Sequence, residues 1–488
     1  MKNKSNFKFD DYFKELEHNY PVNHWRIDDI YIWPYIRIKL YFFLLSKKIN
    51  QGNESKTNII ASFSSKPKKH IGNSKIIELS KAIISNKIFF SKLRKKKIVF
   101  VGSHFHRVQE DGVAFNRFFD SMIKSHQLEN DVYFLEYQKI IEDSFNKKTI
   151  IHLEKQINAS KKNDNLFKSK KELYKNSSEL YRYESFLSDV KKDLAKREFL
   201  QLQENNLISW VRKIKFISNF YIRFFKKVSP EKLIFCGYYG WDNLYAAIYS
   251  ANKLNIKTID FQHGPQTNHM VFSGWNKIPK LGYNLMPKEY WVWDQESKLN
   301  LEKWSASQDD ISVKLAGHPY LQYKHTKENK RNLIVFTMQT FLLKRMIPQG
   351  IIKLMKEWDY KWVFRLHPRN SFSLSEVENY FNNQGVDNTI YEIEFSDQKP
   401  LSETLAKAVL HFTCFSGCML EARSLGVSTI LIDDVGYDMF KNYIDNDLVF
   451  YINPDSKNMI QDCLNVLNDS SLKEFNINQS KVINPLYF

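Results

Sequence analysis

The chain has 488 residues, 43% of them hydrophobic and 15% aromatic, and a formal net charge of +18. That length exceeds one ordinary core, so two domains are expected, and the apolar content excludes a disordered or low-complexity chain. The positive balance calls for an anionic partner (nucleic acid, an anionic membrane surface or a phosphorylated substrate) without choosing among them.

Residues 1–23 are polar and lack the apolar run of a secretory signal, and no stretch has the length of uncharged apolar residues that a membrane-spanning helix needs. Residues 25–48 interleave aromatic and aliphatic side chains with Arg26, Arg37, Lys39, Lys47 and Lys48. They predict an amphipathic helix started or broken at Pro34, either packed on the first domain or lying in a membrane interface. Lys- and Ser-rich helix and linker follow over residues 51–97, so residues 1–95 form a helical, basic N-terminal region. KKKIVFVGSH (95–104) is a buried parallel strand, and residues 107–123 read as a loop leading into a helix. Residues 151–228 are charged and helical in pattern, an insertion in a first domain spanning 96–305. Their last stretch, residues 210–228, is a second candidate for a membrane- or acceptor-facing surface.

From residue 230 the pattern sharpens. PEKLIFCGYYG is a strand and turn, WDNLYAAIYSANKLN a helix, and IKTIDFQHG a second strand. In such a unit ligands sit at the carboxyl ends of the strands, which puts Tyr238 to Asp242 and Gln262 to Gly264 on one cleft edge. A strand and helix at 289–304 follow, then a linker near 305–330. A second α/β domain covers 330–470, with a tail at 471–488. Within it Pro348 marks a kink or restart, Ser402 a helix cap, and residues 455–469 a terminal helix. The alternation predicts parallel sheets with covered faces, hence two Rossmann-like domains.

The chemistry-bearing residues cluster at strand exits. In FTCFSGCMLEARSLGV a strand ends in Thr413, Ser416 and Gly417, a helix starts at once, and Glu421 lies one turn in. Hydroxyls and backbone N–H groups at such a turn suit phosphate, and the carboxylate suits ribose hydroxyls. FRLHPRN sets Arg365, His367 and Arg369 around another strand exit, donors suited to a mono- or diphosphate. Gln339, in FTMQT, ends a third strand and can reach donor phosphate or sugar. In the first domain Gln262, His263 and Gly264 end a strand, and an imidazole in a cleft can take the proton of an acceptor hydroxyl. Glu110 and Asp111 precede Gly112 after the first strand of that domain, a second place for a carboxylate base. His104 and His106 share that loop. No Asp-x-Asp stands at a strand exit, and Asp445-Asn446-Asp447 reads as a turn, so no metal is expected. Cys236, Cys414, Cys418 and Cys463 show no CxxC spacing, which predicts a reducing, cytoplasmic setting without disulfides or structural zinc.

The turn at Thr413 to Gly417 followed by Glu421-Ala422 and Leu425-Gly426-Val427 resembles the donor-nucleotide signature of GT-B glycosyltransferases. His367-Pro368 resembles the His-Pro motif shared by bacterial sialyl- and polysialyltransferases and teichoic-acid glycerophosphotransferases, where it contacts the donor nucleotide. Residues 230–320, with Gln262-His263-Gly264 and the exit Gly317-His318-Pro319, resemble capsule and lipopolysaccharide biosynthesis proteins. Glu110-Asp111-Gly112 is similar to an acidic-acidic-Gly motif of the sialyltransferases whose second carboxylate is the base. The resemblance implies a GT-B fold with two domains facing across a cleft. It further implies a metal-independent transferase without a cofactor, which moves a sugar from a nucleotide-sugar donor to a lipid-linked or growing surface-polysaccharide acceptor. Such an enzyme would be cytoplasmic, working at an anionic inner membrane face without nucleic acid as partner. A CDP-alditol phosphotransferase fits the same motifs, and a sugar-nucleotide epimerase is a further reading on the same two-domain fold. A basic nucleic-acid-binding protein is the reading of another class, and none of the usual recognition modules is present to support it.

Overall fold

Apolar strands alternating with helices sort into two all-parallel sheets in this computed structural model, which describes residues 9–50, 75–139, 141–167, 177–267, 274–323, 332–340, 342–368 and 372–468. The first sheet comprises β1 (Ile98–Ser103), β2 (Val132–Tyr137), β3 (Ile150–His152), β4 (Lys232–Phe235), β5 (Lys257–Phe261), β6 (Glu289–Val292) and β7 (Ser312–Leu315), in spatial order β7-β6-β5-β4-β1-β2-β3. The second comprises β8 (Leu333–Thr337), β9 (Lys361–Arg365), β10 (Tyr391–Glu394), β11 (Ala408–Thr413), β12 (Ser428–Leu431) and β13 (Phe450–Tyr451), in order β10-β9-β8-β11-β12-β13. Each sheet therefore starts in the middle, winds to one edge, and returns to wind to the other. That is the doubly wound Rossmann order, which reverses between β1 and β4 in the first sheet and between β8 and β11 in the second. Helices cover both faces, as strands buried along their whole length such as β1 require. The expected α/β, GT-B architecture is thus present: two Rossmann-like units facing across a cleft, with a helical N-terminal addition.

The N-terminal addition packs into the first unit's core. Phe9, Phe13, Trp25, Trp33, Ile36, Leu40 and Tyr41 share one apolar cluster with Tyr221, Leu244 and Tyr290. The helix Trp33–Asn50 begins beside Pro34, as expected. Its charged Arg37 is buried against Glu17 (2.8 Å), and Tyr35 stacks on Trp210 with ring centroids 3.8 Å apart. Of the two readings, packing on the first domain holds: the helix's apolar residues lie largely in the core, while residues 26–31 form a tight antiparallel pair of strands instead of helix. The helix Glu204–Val228 likewise buries Trp210, Ile214, Phe220 and Phe224.

Three further readings change. The stretch 107–116 is a hairpin, with Arg107–Glu110 antiparallel to Val113–Asn116. Asp111 (φ 50°) and Gly112 (φ 79°) form its two-residue turn, where positive φ at both positions favours the Asp-Gly pair. The region 151–228 is not purely helical: its first two residues belong to the edge strand β3, and Ser178–Glu179 pairs antiparallel with Arg26–Ile27. Ser402 caps nothing: the helix Leu401–Ala406 starts after Pro400, and the Ser402 side chain is buried. Pro348 marks a restart between the helices Leu343–Met346 and Gln349–Glu357. Arg369, residues 324–330 of the expected linker and the tail 471–488 lie outside the described residues.

The two units share a core as well as a cleft. Met419, Leu420, Leu431, Val435, Met439 and Phe440 of the second unit form one cluster with Phe118, Phe261, Trp291 and Trp293 of the first. Leu45 packs against this cluster and against the separate core of each unit.

Candidate functional site

The strand order dictates where ligands can enter. Where a doubly wound sheet reverses direction, the loops leaving adjacent strands diverge and open a crevice at their carboxyl ends. Both crevices, after β1 and β4 and after β8 and β11, open into a single cavity of about 860 Å³ between the units. Its walls include His104, His106, Gly237, Tyr239 and His263 from the first unit, and Thr337, Gln339, His367, Ser416, Gly417 and Glu421 from the second. Tyr41 and Phe42 of the N-terminal helix complete them.

Two sequence motifs, one from each unit, touch across this cavity. A Cβ added to Gly417 would lie 2.8 Å from the Pro265 ring and 3.4 Å from the Gly264 Cα. The Ser416-Gly417 turn therefore approaches the His263-Gly264-Pro265 loop as closely as atoms allow, and only glycine fits at position 417. His263 is fixed from below in the same way. Gly237 (φ 82°) leaves room for the imidazole, whose Cε1 would stand 2.8 Å from an added Cβ. The Gly237 N–H donates to Asp260 (3.0 Å), a carboxyl whose proton affinity is raised well above normal by burial. The Tyr239 hydroxyl stands 3.5 Å from His263 Nε2, and the His106 ring lies 6.0 Å away.

Glu421 is the ionised carboxylate at the centre of the cavity's charged groups. It is almost fully buried, which alone would favour its protonated form, yet Arg117, His318 and Arg365 outweigh that and hold it at about 2. Arg117 comes from the opposite unit at 2.9 Å and His318 Nε2 stands at 3.5 Å. Leu321 N–H donates to His318 Nδ1 (3.4 Å), which leaves Nε2 to carry the proton toward Glu421. Burial depresses the basicity of His318, so a neutral imidazole faces the carboxylate, contributing its N–H dipole at 3.5 Å instead of a full charge. Neither Arg117 nor His318 stands out as a site residue in the sequence, although the Gly-His-Pro exit is a signal for His318.

The remaining candidates divide clearly. Ser416, Gly417, Glu421, Gln339, His367, His263 and Gly264 line the cavity. Arg365 also lines it, but its guanidinium is committed to Glu394 and to the carbonyls of Ser396 (2.8 Å) and Lys399 (2.7 Å), a brace for the following loop. Thr413 is wholly buried; it donates to the Thr337 carbonyl (2.9 Å) and accepts from Ser416 N–H (3.3 Å), so it shapes the turn from behind. Gln262 is buried and does the same for its loop, accepting from Trp293 N–H (2.7 Å) and donating to Gly264 C=O (2.9 Å). Asp111 sits exposed at its hairpin tip, away from the cavity walls. Glu110 is buried and accepts from the Tyr320 hydroxyl (3.2 Å). The helix after Ser416 runs only from Cys418 to Ser424, about two turns, so little helix dipole is available at its N-terminus.

A second buried ionic group supports the first-unit wall. Arg107 Nε contacts Glu136 (2.7 Å) and its Nη1 contacts Asp120 (3.1 Å), one cation between two carboxylates. Burial and the neighbouring Glu136 push Asp120 up to about 7 against the pull of Arg107. The folded state thus binds a proton that the unfolded chain releases near its ordinary carboxyl pKa. Stability should fall as pH rises from about 4 through about 7, by at most about 1.4 kcal/mol per pH unit for one proton. Asp120→Asn should flatten this slope, as read from urea midpoints of both proteins across that range. Parallel slopes would mean that Glu136 or another group holds the proton.

No protein-family model and no curated protein matches the sequence. Solved structures with a similar chain path include the UDP-GlcNAc 2-epimerase from Neisseria meningitidis bound to UDP-GlcNAc, 14% identical over 80% of this chain and 95% of that one, with a TM-score of 0.43. The UDP-GlcNAc 2-epimerase from Methanocaldococcus jannaschii is 12% identical over 77% and 93%, with a TM-score of 0.44. A mutant of the Thermobaculum terrenum O-GlcNAc transferase is 12% identical over 81% and 66%, with a TM-score of 0.36.

Proposed function

We propose that this chain is a nucleotide-sugar-dependent glycosyltransferase whose acceptor is a lipid-linked or growing surface polysaccharide at the inner face of a membrane. The carrying observation is that a single cavity at the two crevices is lined by His263 of one unit and Ser416-Gly417 of the other, and that the Gly264-Pro265 loop beside His263 packs against Gly417. A transfer between two bound molecules needs that arrangement: one wall for the leaving nucleotide, one for the attacking hydroxyl, and the reacting carbon between them.

In this reading the second unit holds the nucleotide. The Ser416 hydroxyl and His367 face the phosphates and stabilise the charge that develops as they leave. Arg117 and His318 hold Glu421 ionised and in place, so that its other oxygen can accept from a ribose hydroxyl. His263 takes the proton of the acceptor hydroxyl as that oxygen attacks the anomeric carbon and the bond to the nucleotide phosphate breaks. Gly237 and Tyr239 fix its position. A CDP-alditol donor would use the same residues, with attack at phosphorus.

The donor is testable directly, because a ligand that binds only the folded protein raises its melting temperature. Among CMP, CDP, UDP, GDP and their sugar or alditol conjugates, one class is expected to raise it. Ser416→Ala and His367→Ala should each diminish that shift. A panel without any shift would remove the donor-site reading, and a donor converted to an isomeric nucleotide sugar without release of nucleotide would replace transfer by epimerisation.

A further inference from the structure

Over residues 84–92, the helix Lys75–Lys92 has two faces of opposite character. Inward, Phe89 stacks with Phe220 and Phe224, and Phe90 meets Phe220 edge-on. Outward, at spacings of three and four, stand Ile84, Lys87, Ile88, Ser91 and Lys92. Ile84 is 56% exposed and Ile88 47%. A single exposed isoleucine needs no explanation. Two on consecutive turns, set in a field of cations, do.

That field is continuous. The chain leaving the helix exposes Arg94, Lys95 and Lys97. Lys96 N–H donates to the Val228 carbonyl (3.0 Å), which lays this segment beside exposed Lys226 and Lys227. Arg223, one turn earlier, holds its guanidinium 4.5 Å from the Phe90 ring centre. Glu231, bonded through its backbone N–H to Lys97 C=O (2.9 Å), is an acidic neighbour at the edge of the run.

We infer that this face docks on an anionic lipid bilayer, the isoleucines entering the boundary between headgroups and acyl chains while the lysines and arginines meet lipid phosphates. Cations alone suit any polyanion. The isoleucines favour lipid, because a nucleic-acid backbone or an acidic polysaccharide offers them nothing apolar to enter, whereas an interface does. None of these residues lines the cleft, so the docking face stands or falls independently of the proposed transfer chemistry.

The test is co-sedimentation of the full chain with vesicles of phosphatidylcholine alone or with phosphatidylglycerol added. Binding is expected on the anionic vesicles and should weaken with salt. Lys226→Glu should lower the partition coefficient about fivefold or more, as expected for a cation near an anionic surface. The double change Ile84→Ser with Ile88→Ser should lower it about tenfold or more, by loss of apolar burial. Ile88→Trp should raise it, because tryptophan favours the interface. All of these positions are exposed, and unchanged melting temperatures would verify intact folding. No binding to phosphatidylglycerol vesicles would overturn the inference. So would binding that is indifferent to both isoleucine variants and abolished by poly(U), which would assign the face to a polyanion.

Discussion

Arg117→Ala is expected to destabilise the protein by an amount toward the lower end of about 3–5 kcal/mol, the cost of leaving a buried carboxylate without its partner. Arg117 is the nearest cation to Glu421, at 2.9 Å, and the two come from opposite units. The arginine side chain is 24% exposed and His318 remains beside the carboxylate, which places the loss at the lower end. The pH dependence identifies the cause. In the parent protein the folded Glu421 is held at about 2, below its unfolded value. Its contribution is therefore complete above the ordinary carboxyl range, and it is lost as pH falls through about 2. Without Arg117 the folded value rises, so the difference between variant and parent should shrink as pH falls below the ordinary carboxyl range. Urea midpoints of parent and variant at neutral and acid pH measure this. A difference that stays constant with pH would mean that Arg117 acts by packing. Glu421→Gln should cost less, because Arg117 can turn to solvent.

His263→Ala is expected to lower turnover by about 10²–10⁴, the usual contribution of a positioned general base. The donor-induced melting shift should remain, since the imidazole belongs to the acceptor wall. The measurement is nucleotide release from the donor identified by thermal shift, in the presence of acceptor. Asp111→Asn decides between the rival bases. Asparagine tolerates the left-handed turn that Asp111 occupies, so folding should be undisturbed. If Asp111 is the base, this variant loses the rate and His263→Ala keeps it. A loss of donor binding in His263→Ala would instead make His263 a phosphate ligand.

Much of this arrangement is legible in the chain itself. From residue 230 onward the strand exits carry Gly, His, Ser or Thr, and the exits singled out for their chemistry do line the cavity at His263, His367, Ser416 and Glu421. What the sequence leaves open is which way an exit residue faces. Thr413 and Gln262 have the right chemistry at the right strand ends, yet both point inward and hold the turns that present their neighbours. Arg117 and His318 escape a sequence reading for a different reason. Their role exists only through Glu421, which lies 304 residues from Arg117 in the chain. The hairpin at 107–116 has a local signal, Asp-Gly between two short alternating runs, but runs this brief read equally well as a loop. The N-terminal helices give no sign of their depth, since a helix surrounded by other helices and one lying on a membrane present the same mixture of aromatic and basic residues.

The seam between the units bears on how such chains can be recombined. Two Rossmann-like units look like separable modules, and exchanging the second for another looks like a matter of choosing a joint. Here the joint is a core. Met419, Leu420, Val435, Met439 and Phe440 have their counterparts in Phe118, Trp291 and Trp293, and Gly417 must stay glycine for the sake of Pro265 on the other side. A chimaera that respects the strand boundaries but not these pairs would bury mismatched surfaces between the units. If the second unit holds the donor as proposed, a change of donor would have to come together with a change in the lining of the seam.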